Sequence, residues 1–311
     1  MNIALLTLNP CIDRALYLSK PLRTGDIHRT ERVVENAAGK GLNQAVVFEN
    51  LGTMPDYYSF SAQGEDAMSR FIATRALRNH AIVAACGIRT NIKVIDSDGV
   101  GTELNEAGGP ITQDELDALL WELDRFEGDI VSVCGSIPAG VEKDIYAQIL
   151  ARAKAKGHIT VLDADGEALK KGLEGRPDYI KPNRRELAGL FDMTERELDS
   201  DEKVISLARR VLETYGTAVL CTLDADGSLY VGHDDIWRVG VAKVPLRGFA
   251  GAGDTYLAAF LHAKYAENKP TPDALAFAAR ASAAKIALGG SELPTREQIE
   301  AVEQVGVCAI G

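Results

Sequence analysis

Several things are missing from this chain, and each absence removes a class of function. There is no basic excess: 34 Lys and Arg stand against 45 Asp and Glu, a formal net charge of −11. A general binder of nucleic acid or of an anionic membrane would carry a basic stripe and is not expected. A small anionic ligand stays open, because a few local cations suffice for it. No apolar run approaches the roughly 18 residues a membrane span needs, and Met1-Asn2-Ile3-Ala4-Leu5-Leu6 has no basic leader, so neither a span nor export is expected. The cysteines, Cys11, Cys86, Cys134, Cys221 and Cys308, are odd in number, far apart and never in a C-x-x-C pair. No histidine has another His or Cys at ligand spacing. Reduced thiols in a cytoplasmic protein follow, in place of a disulfide frame or a zinc site. No repeat or Pro/Gly/Ser linker divides the 311 residues, which are enough for a large core without staples.

What is present is an alternation of apolar runs and amphipathic stretches. Asn2–Leu8, Asp129–Cys134, His158–Asp163, Tyr179–Ile180, Ala218–Leu223 and Ser228–Val231 read as strands. Gly41–Leu51, with Gly52 placed to stop it, and the stretch near Lys143–Lys156 read as helices. Such units argue an α/β fold with a parallel sheet covered on both faces. Ala15–Val34 and Ile88–Thr102 alternate like strands but have no following helix, and are expected to form a small flap outside the main sheet.

Gly251-Ala252-Gly253-Asp254 precedes an apolar helix. A glycine-rich turn opening a helix leaves free N–H groups and a positive dipole end, which suit a phosphate in transit. Asp254 there is either the base for an attacking hydroxyl or a helix cap. Gly39-Lys40-Gly41-Leu42-Asn43 also enters a helix; Lys40 and Asn43 are ligand donors or, equally, solvated residues of a loop. It is not the G-x-x-x-x-G-K-[ST] phosphate loop. Asp13, after the first strand, would grip sugar hydroxyls or cap a turn. Arg29, Arg89 and Lys93 would pair with a phosphate or form a solvated face. Asn183 and Glu186, one helical turn apart, suit Mg²⁺ held through water and equally suit a capping box.

Taken together, these motifs resemble the ribokinase-like sugar kinases of the phosphofructokinase-B branch, and within it the fructose-1-phosphate and tagatose-6-phosphate kinases. The likeness runs through Thr7-Leu8-Asn9-Pro10…Asp13, Ala38-Gly39-Lys40-Gly41…Asn43, Arg89…Asn91…Lys93, Thr102-Glu103-Leu104-Asn105, Gly135-Ser136-Ile137-Pro138-Ala139-Gly140, Asp163…Gly166, Lys181-Pro182-Asn183…Glu186-Leu187 and Gly251–Asp254. The resemblance implies a mostly parallel central sheet between helices, one kinase domain over 1–311, and a β-lid from about 14–35 and 88–104 that also carries a homodimer contact. It implies ATP and Mg²⁺ as cofactors, a phosphorylated ketohexose as substrate, and a bisphosphate as product. By the same resemblance Asp254 is the general base, and Gly251, Ala252 and Gly253 form the anion hole. Asp13, Gly39, Lys40 and Asn43 hold the sugar, while Arg29, Arg89, Lys93 and Ser136 hold its phosphate. Lys181, Asn183 and Glu186 serve the nucleotide and its metal, Thr222, Asp224 and Gly227 line the nucleotide, and an alanine-rich helix Ala274–Leu288 packs beside the base.

Departures from the family pattern lie mainly on the nucleotide side. Gly248-Phe249-Ala250 stands where Thr-Val is usual, Asp224 replaces a glycine, Ala38 the first glycine of a pair, and Asp165 a serine. They motivate a second expectation, a catalytically weakened sugar-phosphate binder. A kinase for an unphosphorylated sugar or nucleoside is a third, which Arg29, Arg89 and Lys93 argue against.

Overall fold

Ile3–Thr7 (β1) shows how the main sheet is built. All five residues are buried, and Ile3 and Leu5 join one core while Ala4 and Leu6 join another, as period-two geometry requires of a strand covered on both faces. The computed structural model describes residues 1–248 and 250–310. Its further strands are β2 (Cys11–Leu18), β3 (Thr30–Ala38), β4 (Asp56–Ser61), β5 (Arg78–Asn79), β6 (Ile82–Val83), β7 (Arg89–Ile95), β8 (Gly101–Asn105), β9 (Ile130–Cys134), β10 (Ile159–Asp163), β11 (Tyr179–Ile180), β12 (Ala218–Thr222), β13 (Ser228–Val231), β14 (Ile236–Val239) and β15 (Val307–Ala309). The helices are α1 (Lys40–Asn50), α2 (Ala67–Ala73), α3 (Gln113–Asp124), α4 (Ile145–Ala155), α5 (Gly166–Gly172), α6 (Arg184–Gly189), α7 (Asp201–Tyr215), α8 (Ala252–Leu261), α9 (Thr271–Ala287) and α10 (Arg296–Glu300).

The main sheet runs β15-β14-β13-β12-β11-β10-β9-β1-β4-β5, with β6 also on β4. Pairing is parallel from β12 through β5 and antiparallel from β12 out to β15. The antiparallel margin follows from chain length: only Leu223–Gly227 separates β12 from β13, too short for the crossover that a parallel pair needs. Leu42, Phe48, Leu257, Phe260, Leu275 and Ala278, from α1, α8 and α9, fill the core on one face. Leu119, Ile149, Leu169, Val204 and Val211, from α3, α4, α5 and α7, fill the other. Helix α1 ends as its glycine predicts. Gly52 adopts φ 88°, Thr53 N–H donates to Phe48 O at 2.8 Å and Gly52 N–H to Glu49 O at 2.9 Å, a Schellman closure.

The two helix-free segments form a separate four-stranded sheet, β3-β2-β7-β8. Here β2 and β7 are parallel, and the other two pairs are antiparallel. The strands reach further than expected: β2 starts at Cys11 and β3 continues to Ala38, directly before α1. Its margins leave Ile27, Val100 and Leu104 exposed.

Candidate active site

Parallel register brings the carboxyl ends of the central strands into one row. Thr7 of β1 stands opposite Cys134 of β9, Cys134 stands opposite Asp163 of β10, and Lys181 follows Ile180 of β11, whose partner is Leu162. Such strand ends are where open α/β sheets bind ligands. Asp163 is completely buried. Its Oδ1 accepts from Lys40 Nζ at 3.0 Å and its Oδ2 from Gln44 Nε2 at 3.0 Å, and Lys181 Nζ lies 3.5 Å from Oδ1. Burial pushes the Asp163 carboxyl upward, but Lys181 and Lys40 outweigh it and hold it below the usual carboxylate value. Burial likewise opposes the Lys40 charge, and the fields of Asp163, Glu186 and Asp254 hold it above the ordinary lysine value. Glu186 Oε1 is 3.9 Å from Lys40 Nζ.

Asp254 belongs to the first turn of α8, whose N-cap is Gly251 at φ 83°. The earliest backbone bond there runs from Thr255 N–H to Gly251 O at 2.9 Å, which leaves the preceding amides of Ala252, Gly253 and Asp254 without helical partners. Asn43 Nδ2 donates to Asp254 Oδ2 at 2.7 Å, and among the described residues no hydrogen bond reaches Oδ1. Burial, reinforced by Asp163, pushes the Asp254 carboxyl up to about 6, against the opposing pull of Lys40, the Asn43 bond and Lys181. A carboxylate poised near neutrality is suited to accept a proton from a hydroxyl.

Two glycines here answer to space. A Cβ on Gly41 would lie 2.1 Å from Thr7 Oγ1, so only glycine lets α1 pass this close to the end of β1. A Cβ on Gly253 would lie 3.2 Å from Lys181 Nζ, so the buried lysine sits immediately beneath the turn. The alanine-rich helix takes its expected place: α9 packs on α8, with Ala274, Ala278 and Ala281 fully buried.

The second sheet holds another cluster. Lys93 Nζ donates to Asp13 Oδ2 at 2.7 Å and Asn91 Nδ2 to Asp13 Oδ1 at 3.2 Å, because the parallel register sets Asp13 opposite Asn91 and Ala15 opposite Lys93. Arg89 donates to Asn9 O at 3.3 Å and Glu106 O at 3.1 Å, and Asn9 Nδ2 donates to Ser136 Oγ at 3.0 Å. Asp13 and Lys93 are thus tied in one group and Arg89 and Ser136, through Asn9, in another, while Gly39, the N-cap of α1, leads to Lys40 and Asn43. Arg29 is exposed just before β3, and among the described residues it makes no hydrogen bond or ion pair.

On the other flank, Asn183 and Glu186 form a complete capping box: Glu186 N–H donates to Asn183 Oδ1 at 2.8 Å, and Asn183 N–H to Glu186 Oε2 at 2.9 Å. Asn183 bridges Thr222. Asp224 is exposed and takes φ 51°, and Gly227 takes φ 94°, so the aspartate keeps a left-handed backbone that glycine would adopt freely. Of Gly248-Phe249-Ala250, Phe249 lies outside the described residues. No group of three or more His, Cys, Asp or Glu side chains gathers as a metal cage among the described residues. The capping box uses Asn183 Oδ1 and Glu186 Oε2 and leaves Glu186 Oε1 outside it, 3.9 Å from Lys40 Nζ, an oxygen donor of the kind that suits Mg²⁺ held largely by water and phosphate. The hub role of Asp163 and the parts of Gln44 and Asn9 were not foreseen from sequence. The available signals were a carboxylate ending the apolar run His158–Asp163 and the presence of Asn9 and Asp163 in the motifs that carry the family likeness.

The sequence profile of the pfkB family carbohydrate kinases matches residues 6–298. A 1-phosphofructokinase of Escherichia coli K12 is 29% identical over 270 residues, covering 84% of this chain and 83% of the relative. A 1-phosphofructokinase of Bacillus subtilis is 28% identical over 259 residues, covering 82% and 83%. The crystal structure of phosphofructokinase-2 from Escherichia coli in complex with substrates and products superposes with a TM-score of 0.88 at 24% identity, over 96% of this chain and 97% of that one.

Proposed function

Because this chain belongs to the pfkB family of carbohydrate kinases, we propose that it transfers the γ-phosphoryl group of ATP to a hydroxyl of a ketohexose phosphate, giving the bisphosphate. The relatives' name, 1-phosphofructokinase, favours fructose 1-phosphate over tagatose 6-phosphate as the acceptor. The observation that carries the reading is Asp254, poised at about 6 within the turn whose amides are unspent.

In the reaction, Asp254 takes the proton of the acceptor hydroxyl as its oxygen bonds to the γ-phosphorus and the bond to the ADP oxygen breaks. The amides of Ala252 and Gly253, with Gly251 shaping the turn, receive the charge of the transferring group. Lys40 and Lys181, both anchored on Asp163, keep positive charge beside that turn. Asn43 orients the base, and Asp13 and Gly39 adjoin the sugar. Arg89, Lys93, Ser136 and Arg29 serve its phosphate; Lys93 already neutralises Asp13, and Arg29 would have to swing in from solvent. Asn183 and Glu186 would hold Mg²⁺, which supplies charge neutralisation on the polyphosphate, while Thr222, Asp224 and Gly227 border the nucleotide.

We read 1–311 as one domain with the sheet β3-β2-β7-β8 as its lid. Closure over the sugar would exclude water as a competing acceptor. The exposed Ile27, Val100 and Leu104 favour a homodimer through this lid. No helix among the described residues is long and apolar enough to cross a membrane, which agrees with a cytoplasmic enzyme. A screen of phosphorylated hexoses with Mg-ATP, reading bisphosphate formation, tests the function, with Asp254→Asn as control. Turnover of fructose 1-phosphate that vanishes in the variant is expected; undiminished turnover in the variant would remove Asp254 from the mechanism.

A further inference from the structure

Lys285 is only 1% exposed, lies in the last turn of α9, and takes no part in the chemistry above. Its Nζ donates to Gly290 O at 3.0 Å. Its side chain runs under the catalytic turn: a Cβ on Gly251 would lie 3.4 Å from Lys285 Cε and 3.5 Å from Asn43 Nδ2. The end of α9 also holds the strand of chain entering that turn, because Ile286 O accepts from Arg247 N–H at 3.0 Å and from Gly248 N–H at 3.3 Å.

This arrangement sets two requirements against each other. The Gly251–Gly253 turn is proposed to receive an anion, yet it lies beside the C-terminal end of a 17-residue helix, the negative end of the helix dipole. A cation in that last turn reverses the local sign. An aliphatic side chain would fill the same volume without the cost of burying a charge, so the charge itself needs a use. Burial lowers the Lys285 pKa, Glu292 works against this and Lys93 adds to it; the ammonium is held here at a cost.

We propose that Lys285 is a positioning residue for phosphoryl transfer, its buried ammonium cancelling the negative end of α9 and holding the Gly251–Gly253 turn in the shape that receives the transferring group. The inference rests on the reading of that turn as an anion hole. It acts on the transferring group rather than on the sugar, so its loss falls on kcat more than on the KM of the acceptor.

The test compares wild-type protein with Lys285→Met, which keeps the volume, and Lys285→Gln, which keeps a donor for Gly290 without the charge. Wild-type turnover of ATP with fructose 1-phosphate is measured first, since its absence would end the kinase reading without bearing on Lys285. Both variants are expected to lose about 100-fold in kcat, the scale of a lost oxyanion donor, with the acceptor KM within about threefold of wild type. Their unfolding midpoints should be unchanged or higher, because a buried charge has gone, and a third variant, Lys285→Ala, which leaves room for a small amine, should regain part of its activity with added methylammonium. Either of the first two variants retaining wild-type kcat would overturn the proposal. So would a loss of kcat that accompanies a lowered unfolding midpoint and, in Lys285→Ala, resists methylammonium, because that pattern belongs to packing.

Discussion

The side-chain amide of Asn43 donates to Asp254 Oδ2 at 2.7 Å, joining the first turn of α1 to the first turn of α8 across 211 positions of chain. The bond favours the ionised carboxylate, whereas burial and Asp163 disfavour it. Removing it in Asn43→Ala should move the acid limb of the kcat/KM profile upward from about pH 6, by about one unit. A profile measured between pH 5 and 9 checks this, and a limb that stays in place would detach Asp254 from the role of base.

The same carboxylate should burden the fold. Its pKa rises from 3.8 to about 6 on folding, so its contribution to stability is fully present below pH 3.8 and is lost as pH rises through about 6. Asp254→Asn is therefore expected to abolish turnover yet raise stability at pH 8 by on the order of 1–3 kcal/mol. Urea unfolding at pH 8 and at pH 4.5 measures it, with the gain shrinking at the lower pH.

Asp163 is the opposite case, a buried carboxylate that two lysines require. Asp163→Asn leaves Lys40 and Lys181 without their counter-charge and should cost about 3–5 kcal/mol at pH 7. The folded pKa lies below 3.8, so this stabilisation is present above pH 3.8 and lost as pH falls through the lower folded value. Unfolding midpoints of the two proteins should converge in acid; an equal gap at pH 7 and pH 3 would contradict the assignment.

Glu186 has two roles that one substitution separates. Glu186→Gln can still accept from the Asn183 amide, so the capping box should survive and the melting temperature should change little. The half-saturating Mg²⁺ concentration at fixed ATP should rise about tenfold, the scale of losing one charge-assisted contact. An unchanged Mg²⁺ requirement would leave Glu186 as a cap alone.

Asp224 carries a left-handed backbone and a charge on the side proposed for ATP. Asp224→Gly should stabilise the fold slightly, by up to about 1 kcal/mol, since glycine takes φ 51° without a Cβ penalty. It should also lower the KM for ATP several-fold by removing a like charge. Calorimetry with a non-hydrolysable ATP analogue gives the direct reading, and weaker binding in the variant would mean the aspartate assists the nucleotide.

Much of this protein was legible in one dimension because its signals are local. Apolar runs of strand length, the glycine after α1 and the turn before α8 each state their structure within a few residues. The separate sheet was legible too, from alternation without a following helix. The antiparallel margin was less so, since β14 and β15 are short and β15 lies 68 residues beyond β14. Side chains show the limit: sequence does not tell that Arg29 stands exposed, or that Lys285, in a helix that reads as alanine packing, is buried beside the turn.

Sequence by itself determined which chemical groups exist, on which elements they ride, and that a net charge of −11 disfavours extended polyanions while leaving a small anionic ligand open. Tertiary structure alone decided which of them meet. The parallel register of β1, β9, β10 and β11 brings Asp163 level with Thr7 and Cys134 and next to Lys181, and α1 adds Lys40 and Gln44 from far earlier in the chain. The physical reason is that burial turns charge into an interaction: in water Asp254, Asp163 and Lys40 would titrate almost independently, whereas inside the fold their fields shift one another.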